Sequence, residues 1–66
     1  MKITVNGETV EVDAQCSVAG LLKQLGLGEK RVAVERNGEL VPKSLHVSEV
    51  VSEGDRIEIV QAIGGG

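Results

Sequence analysis

Two Asn-Gly pairs, Asn6-Gly7 and Asn37-Gly38, constrain the fold of this chain more than any other local feature. Asn-Gly is the preferred pair for the type I′ turn that joins two antiparallel strands. The stretch Met1 to Asn6 alternates between apolar and polar residues, and Val10 and Val12 resume the alternation after the turn. A period of two residues is typical of a half-buried strand. The first pair therefore predicts a β-hairpin.

The second Asn-Gly pair has the same surroundings. Residues Arg31 to Arg36 alternate, with Val32 and Val34 predicted to face inward, and Leu40-Val41 follow the turn. Pro42 is expected to end this strand because it has no backbone N–H to donate. The sequence thus predicts a second, shorter hairpin.

Between the hairpins the apolar period changes to that of a helix. Val18, Leu21, Leu22 and Leu25 stand at positions i, i+3, i+4 and i+7. Ser17 is the predicted N-cap, and Gly26 and Gly28 are the predicted stop signals. We expect a helix of roughly ten residues that needs tertiary packing for stability.

The last third of the chain is less regular. Residues Lys43 to Glu53 predict an irregular or one-turn helical connection. Its expected apolar anchors are Leu45, Val47, Val50 and Val51. After a turn at Glu53-Gly54-Asp55, Arg56 to Ile63 is predicted to be the last strand, with Ile57 and Ile59 facing inward.

The predicted order is strand, strand, helix, strand, strand, strand. We interpret this order as an α+β fold of the β-grasp type, in which a mixed sheet of four to five strands is covered by one main helix. Residues 1–66 form a single domain in this interpretation, with Gly64 to Gly66 as a flexible tail.

Composition restricts what such a domain can do. The chain has 66 residues, 41% of them hydrophobic, and contains no Phe, Trp or Tyr, so its core must consist of small aliphatic side chains. A domain of this size has little room for a small-molecule pocket. One His and one Cys do not supply a base, an orienting group and oxyanion donors. We therefore expect no enzyme activity and no bound cofactor.

Charge and targeting signals exclude further classes. The net charge is −3, and the chain lacks both aromatic stacking residues and a basic stripe, so we expect no nucleic-acid partner. A single Cys cannot form an internal disulfide. No signal-like or membrane-spanning stretch is present, and we expect a cytoplasmic protein without a membrane partner.

Cys16, His46 and several acidic residues could have functional roles, but structural or solvent-exposed positions explain them more simply. We interpret Cys16 as a small structural residue rather than a sulfur relay, and His46 as a surface loop residue. His46 has no ligand partners at metal-binding spacing, so we expect no metal site. Six acidic residues are expected to be solvated: Glu8, Glu11, Asp13, Glu53, Asp55 and Glu58.

The C-terminus is the candidate functional feature. Three glycines can extend over roughly 10 Å and present the Gly66 carboxylate to a narrow channel of another protein. Val60, Ala62 and Ile63 add apolar groups near the predicted position of Ala33, where a partner could dock. The alternatives are a frayed terminus and ordinary exposed apolar residues.

The whole chain resembles the sulfur carriers of thiamine thiazole biosynthesis, which belong to the ubiquitin-like β-grasp superfamily. The motifs that carry the resemblance are ITVNG at 3–7, SVAGLL at 17–22, VAVERNGELVP at 32–42, EGDRIEIV at 53–60 and the glycine end. The order and spacing of these motifs are specific, although each alone is weak. Where many family members have an aromatic residue after the Pro, this chain has Ser44, Leu45 and His46.

The resemblance implies a carrier cycle at Gly66, with Gly64 and Gly65 entering the partner's active site. An ATP-dependent, E1-like adenylyltransferase would adenylate the carboxylate, and a cysteine-derived persulfide would convert it to a thiocarboxylate. Thiazole synthase would then receive the sulfur. ATP and Mg²⁺ would belong to the adenylyltransferase.

Two relatives of this function remain open. One is the small subunit of molybdopterin synthase, which shares the fold and the Gly-Gly end and differs in its acceptor. The other is a ubiquitin-like modifier, in which Gly66 would form an amide with a lysine of another protein. A simple interaction module, whose function would survive deletion of Gly65 and Gly66, is a further alternative.

Overall fold

The computed structural model describes residues 1–61. Its elements are β1 (Lys2–Val5), β2 (Glu8–Glu11), α1 (Val18–Gln24), β3 (Val32–Arg36), β4 (Glu39–Val41), a 3-10 helix (Lys43–Leu45) and β5 (Arg56–Gln61). The strands form one sheet in the order β2-β1-β5-β3-β4. Strands β1 and β5 are parallel, whereas the other neighbours are antiparallel. This mixed sheet with one α-helix confirms the predicted fold class.

Both hairpin predictions are confirmed. Asn6 and Gly7 have φ angles of 50° and 85°, and Asn37 and Gly38 have 52° and 87°. A type I′ turn requires positive φ at both central residues, which Gly adopts freely and Asn tolerates better than most residues. The turns therefore fix the registers of β1 with β2 and of β3 with β4.

Helix α1 begins and ends with local hydrogen bonds. The Ser17 side chain accepts from the Gly20 N–H at 3.0 Å, which confirms the N-cap. At the other end, the Leu27 N–H donates to Leu22 O at 2.7 Å and the Gly26 N–H donates to Lys23 O at 3.0 Å. These two bonds form a Schellman motif, with Gly26 at a φ of 77°. Gly26 thus ends the helix, which has seven residues instead of the expected ten or so.

The core lies between α1 and one face of the sheet. Among residues 1–61, its buried hydrophobic residues are Ile3, Val5, Val12, Val18, Leu21, Leu22, Val34, Val41, Val51, Ile57 and Ile59. The alternation in β5 buries Ile57 and Ile59 as predicted, and the helical period buries Val18, Leu21 and Leu22.

Residues 43–53 form the predicted irregular connection, but the prediction of its buried apolar anchors is wrong for three of the four residues. Val51 is buried, whereas Leu45, Val47 and Val50 are exposed. The segment contacts α1 through its backbone, because the first helical N–H groups use its carbonyls. Val18 donates to Glu49 O at 2.8 Å, and Ala19 donates to His46 O at 2.7 Å. These bonds supply acceptors that a helix N-terminus otherwise lacks.

The prediction that His46 is a surface residue is also wrong. Its side chain is buried, and Nε2 lies 3.1 Å from Val41 O. Because a carbonyl can only accept, the ring donates at Nε2 and fastens the connection to β4. The hydrogen bond satisfies a polar group that would otherwise be costly to bury.

The predicted last strand ran to Ile63, and the structure shows β5 through Gln61. Ala62 and Ile63 lie outside the described residues. Within residues 1–61, no helix has both the length and the apolar character needed to cross a membrane.

Candidate functional site

Strand β5 leads into the C-terminal segment, and it occupies the middle of the sheet. It pairs with β3 from Ile57 opposite Arg36 to Gln61 opposite Val32. On its other side it pairs with β1 over two residues. The pairing with β3 continues to the last described residue, Gln61, and so anchors the end of β5 to the body of the domain.

Asn6 extends the contact between β1 and β5 beyond the strand ladder. Its side chain accepts from the Ile59 N–H at 2.8 Å and donates to Ile59 O at 3.1 Å. The amide therefore replaces a backbone partner for Ile59. Sequence reasoning missed this role, because the Asn-Gly pattern signals the turn and says nothing of what the side chain contacts.

Asn37 acts in a similar way at the start of β5. Its Oδ1 accepts from the Arg56 N–H at 2.9 Å, and its Nδ2 donates to Asp55 Oδ1 at 3.1 Å. The two turn asparagines thus hold β5, the strand that leads to the C-terminus, along its two edges: Asn6 follows β1 and Asn37 follows β3.

Asp55 corrects the expectation that all six acidic residues are solvated. It is 7% exposed, and its carboxylate accepts from Arg36 Nε at 2.7 Å and from the Ser52 N–H at 2.7 Å. Burial alone would raise the pKa of Asp55, but hydrogen bonds from Ser52, Asn37 and Arg36 and the Arg36 charge outweigh it and lower that pKa. The other five acidic residues are exposed as expected.

Arg36 joins two acidic residues of different segments. In addition to Asp55 it contacts Glu49, with Nη1 3.1 Å from Oε2. Burial opposes its charge, but the hydrogen bonds and the two carboxylates raise the pKa of Arg36. This network connects β3, the connection after β4 and the start of β5. Both carboxylates are already paired with Arg36, so we interpret the network as structural.

An apolar surface lies on the sheet face opposite α1. Val60 is 65% exposed and stands directly opposite the exposed Ala33, as expected from the sequence. Leu40 of the next strand is also 65% exposed. It lies on the same face because its neighbour Val41 faces the core. We call Val60, Ala33 and Leu40 the outer-face patch, and its use by a partner stays a prediction.

Cys16 packs partly buried against the core, in agreement with a structural role. Burial, and secondarily the Asp13 carboxylate, raises the pKa of the Cys16 thiol. A raised pKa reduces the thiolate fraction and therefore nucleophilicity. Among residues 1–61 no cluster of potential metal ligands is found.

The predicted chemical groups at Gly64, Gly65 and Gly66 lie outside the described residues, as do Ala62 and Ile63 of the predicted docking surface. The described part therefore provides the base of the C-terminal segment and the surfaces around it. No cleft in it gathers a nucleophile, a base and an oxyanion donor.

Comparison with known proteins identifies relatives over the full chain. A protein of Paramagnetospirillum magneticum named thiazole synthase is 48% identical over 66 residues, and the chain spans 20% of that protein's length. The sulfur carrier protein ThiS of Escherichia coli is 32% identical, with full coverage of both chains.

A solved structure agrees with the sequence matches. The crystal structure of the thiamine biosynthesis protein ThiS from Geobacter metallireducens has a TM-score of 0.83 and 36% identity, with full coverage of both chains. The sequence model of the ThiS family matches residues 3–66. Agreement in sequence and fold shows that this chain belongs to the ThiS family.

Proposed function

We propose that this chain carries sulfur for thiazole formation in thiamine biosynthesis, on the carboxyl group of Gly66. The observation that carries the proposal is the family match, which extends through residue 66. The relative named sulfur carrier protein aligns with this chain over its whole length. The raised pKa of the Cys16 thiol favours the terminal carboxyl over that cysteine as the sulfur-bearing group.

The first step activates the carboxyl carbon. A carboxylate is a poor electrophile, so one of its oxygens attacks the α-phosphorus of ATP and pyrophosphate leaves. The product is an acyl-adenylate, in which AMP is a good leaving group. ATP and Mg²⁺ belong to the E1-like adenylyltransferase, and this chain is its co-substrate rather than an enzyme.

The second step introduces sulfur. The terminal sulfur of a cysteine persulfide attacks the acyl carbon, and AMP leaves to give an acyl disulfide. A thiol of the donor system then attacks the donor cysteine sulfur of that disulfide. This reduction releases the thiocarboxylate and leaves a disulfide between the two thiols, so the electrons balance.

The fold contributes by fixing the base from which the carboxyl is presented. Asn6 and the β3 ladder anchor β5 up to Gln61. The five residues that follow can span at most about 18 Å. A partner must therefore approach the end of β5 closely, and the outer-face patch lies where such a partner would meet the domain.

Thiazole synthase is the proposed sulfur acceptor. Support comes from the Paramagnetospirillum magneticum protein of that name, in which a sequence similar to this entire chain forms one fifth of the polypeptide. Because that protein joins such a sequence to the rest of a polypeptide named thiazole synthase, we infer that thiazole synthase accepts sulfur from this chain.

Adenylation can be tested by ATP–pyrophosphate exchange with the adenylyltransferase. The wild-type chain should support exchange, whereas a semisynthetic chain with a Gly66 carboxamide should not, because the neutral amide has no carboxylate to attack the α-phosphorus. Exchange by the carboxamide form would contradict the proposal. If a molybdopterin synthase subunit consumed the thiocarboxylate and thiazole synthase did not, molybdopterin synthase would be the acceptor instead.

A further inference from the structure

A basic cleft lies at the end of the sheet where β5 leads into the C-terminal segment. The cleft has a volume of about 600 Å³. It lies between the end of α1, the loop that follows, the start of β3 and the segment after β4. Its charged lining residues are Glu29, Lys30, Arg31 and Lys43, and Val32 at its wall is the strand partner of Gln61.

Basic charge is concentrated around this cleft. A neighbouring surface depression is lined by Lys23 together with Glu29 and Lys30. Four of the seven basic residues of the chain and one of its ten acidic residues therefore line these two depressions. The remainder of this acidic chain has nine acidic residues and three basic ones.

The basic side chains of the cleft form no ion pair with any residue that the structure describes, so they are available to a partner. The ion pairs among residues 1–61 are Met1 with Glu11 and Arg36 with Glu49 and Asp55. Lys30, Arg31 and Lys43 are exposed and belong to none of these pairs. By contrast, Arg36 is half-buried and fully engaged in its own network.

We propose that Lys30, Arg31 and Lys43 form a docking surface for an acidic surface of the enzyme that adenylates Gly66. This inference rests on the proposed function, which requires that enzyme to reach the end of β5. Exposed, flexible basic side chains around an open cleft suit a broad acidic surface better than a small anion, which needs converging and fixed donors. Complementary charge would accelerate encounter and orient the C-terminus towards the active site.

The test measures adenylation of variant chains at saturating ATP as a function of salt concentration. Arg31→Glu and Lys43→Glu each reverse one charge of the cleft. The matched control is Lys2→Glu, which makes the same charge change on an exposed residue of β1. Lys2 precedes Thr4, the partner of Arg56, and so lies at the opposite end of the sheet from Gln61.

We expect Arg31→Glu and Lys43→Glu to raise the KM for the carrier about 3- to 10-fold at low salt, with kcat unchanged. The difference should diminish as salt rises, because exposed charges are screened. Lys2→Glu should stay within about twofold of wild type. Equal KM values for all three variants would overturn this inference alone. A lower KM for the cleft variants, as expected if the cleft held the chain's own carboxylate, would also overturn it. No adenylation of the wild-type chain would overturn the proposed function as well.

Discussion

The two turn asparagines serve a purpose beyond chain reversal. Gly would satisfy the positive φ at Asn6 equally well, so the turn alone does not require an amide side chain. The hydrogen bonds to Ile59 give the reason for Asn. At this position one residue fixes both a hairpin and the central strand from which the C-terminus departs.

Replacing Asn6 with Gly separates these roles. Asn6→Gly keeps the turn and leaves the Ile59 N–H and C=O without their side-chain partner. We expect the free energy of unfolding to fall by about 1 to 2 kcal/mol, measured by urea denaturation. Amide exchange at Ile59 should accelerate.

Gln15→Gly is the matched control for the effect of a new glycine. Gln15 is exposed and has a φ of 67°, so the substitution relieves backbone strain and makes the unfolded chain more flexible. We expect little net change. Equal destabilisation by Asn6→Gly and Gln15→Gly would refute the structural role of the Asn6 amide.

Asp55 predicts a dependence of stability on pH. An unfolded Asp titrates near pH 4, and the lowered pKa of Asp55 means that the folded state binds its proton less tightly. Its stabilising contribution is therefore complete above about pH 4 and is lost as the pH falls through the folded pKa. Asp55→Asn should cost about 1.5 to 3 kcal/mol at pH 7 and weaken this acid dependence.

Glu49→Gln is the control for Asp55→Asn. It also removes a carboxylate partner of Arg36, but this pair is more exposed and should contribute less than about 1 kcal/mol. Urea denaturation from about pH 2.5 to about pH 7 gives the free energy of unfolding of the wild type, Asp55→Asn and Glu49→Gln. An unchanged pH profile in Asp55→Asn would contradict this explanation.

At the scale of elements, the end of α1 depends on one glycine. Gly26 has positive φ, so Gly26→Ala should destabilise the protein by about 1 kcal/mol although nothing lies within 4 Å of the added Cβ. Gly28→Ala should have a smaller effect, since its new Cβ would make only an ordinary contact, 3.6 Å from Lys23 Cα. Thermal unfolding of both variants tests this order. A larger loss in Gly28→Ala would show that the helix end is assigned incorrectly.

Elements with local signals could be predicted from the sequence. The Asn-Gly turns, the period of two residues in the strands and the Ser17 cap all depend on neighbours in the chain, and the structure confirms each of them. The connection after β4 depends instead on distant groups. Its carbonyls bind the start of α1, and in this connection Leu45, Val47 and Val50 are exposed while His46 is buried.

The candidate site could be predicted only in part for the same reason. The exposed Val60 beside Ala33 follows from alternation in two strands. The burial of Asp55 depends on Arg36, which is 19 residues away. The basic cleft depends on Lys43 lying near Lys30 and Arg31, and the sequence does not show that these two parts of the chain are neighbours. Contacts that require the tertiary fold were therefore the ones that sequence reasoning missed.

At the scale of the whole molecule, the outer-face patch should contribute to partner binding. Val60→Asp places a charge in this patch and should raise the KM for the carrier in adenylation about tenfold, because a charge buried in an interface is costly. Val47→Asp makes the same change at a residue that is 79% exposed and lies outside the sheet. This control should adenylate normally.

Circular dichroism should show that both variants remain folded, since both side chains face solvent. Equal KM values for Val60→Asp and Val47→Asp would remove the outer-face patch from the docking surface.

The proposed function depends on the transfer of sulfur to the terminal carboxyl of Gly66, and intact-mass spectrometry tests this transfer most directly. The chain is incubated with ATP, the adenylyltransferase and a persulfide donor. We predict a mass increase equal to the difference between one sulfur and one oxygen atom, located at Gly66 by fragmentation and absent from the Gly66 carboxamide. An unchanged C-terminal mass together with stable amide conjugates to other proteins would contradict the account and indicate a protein modifier.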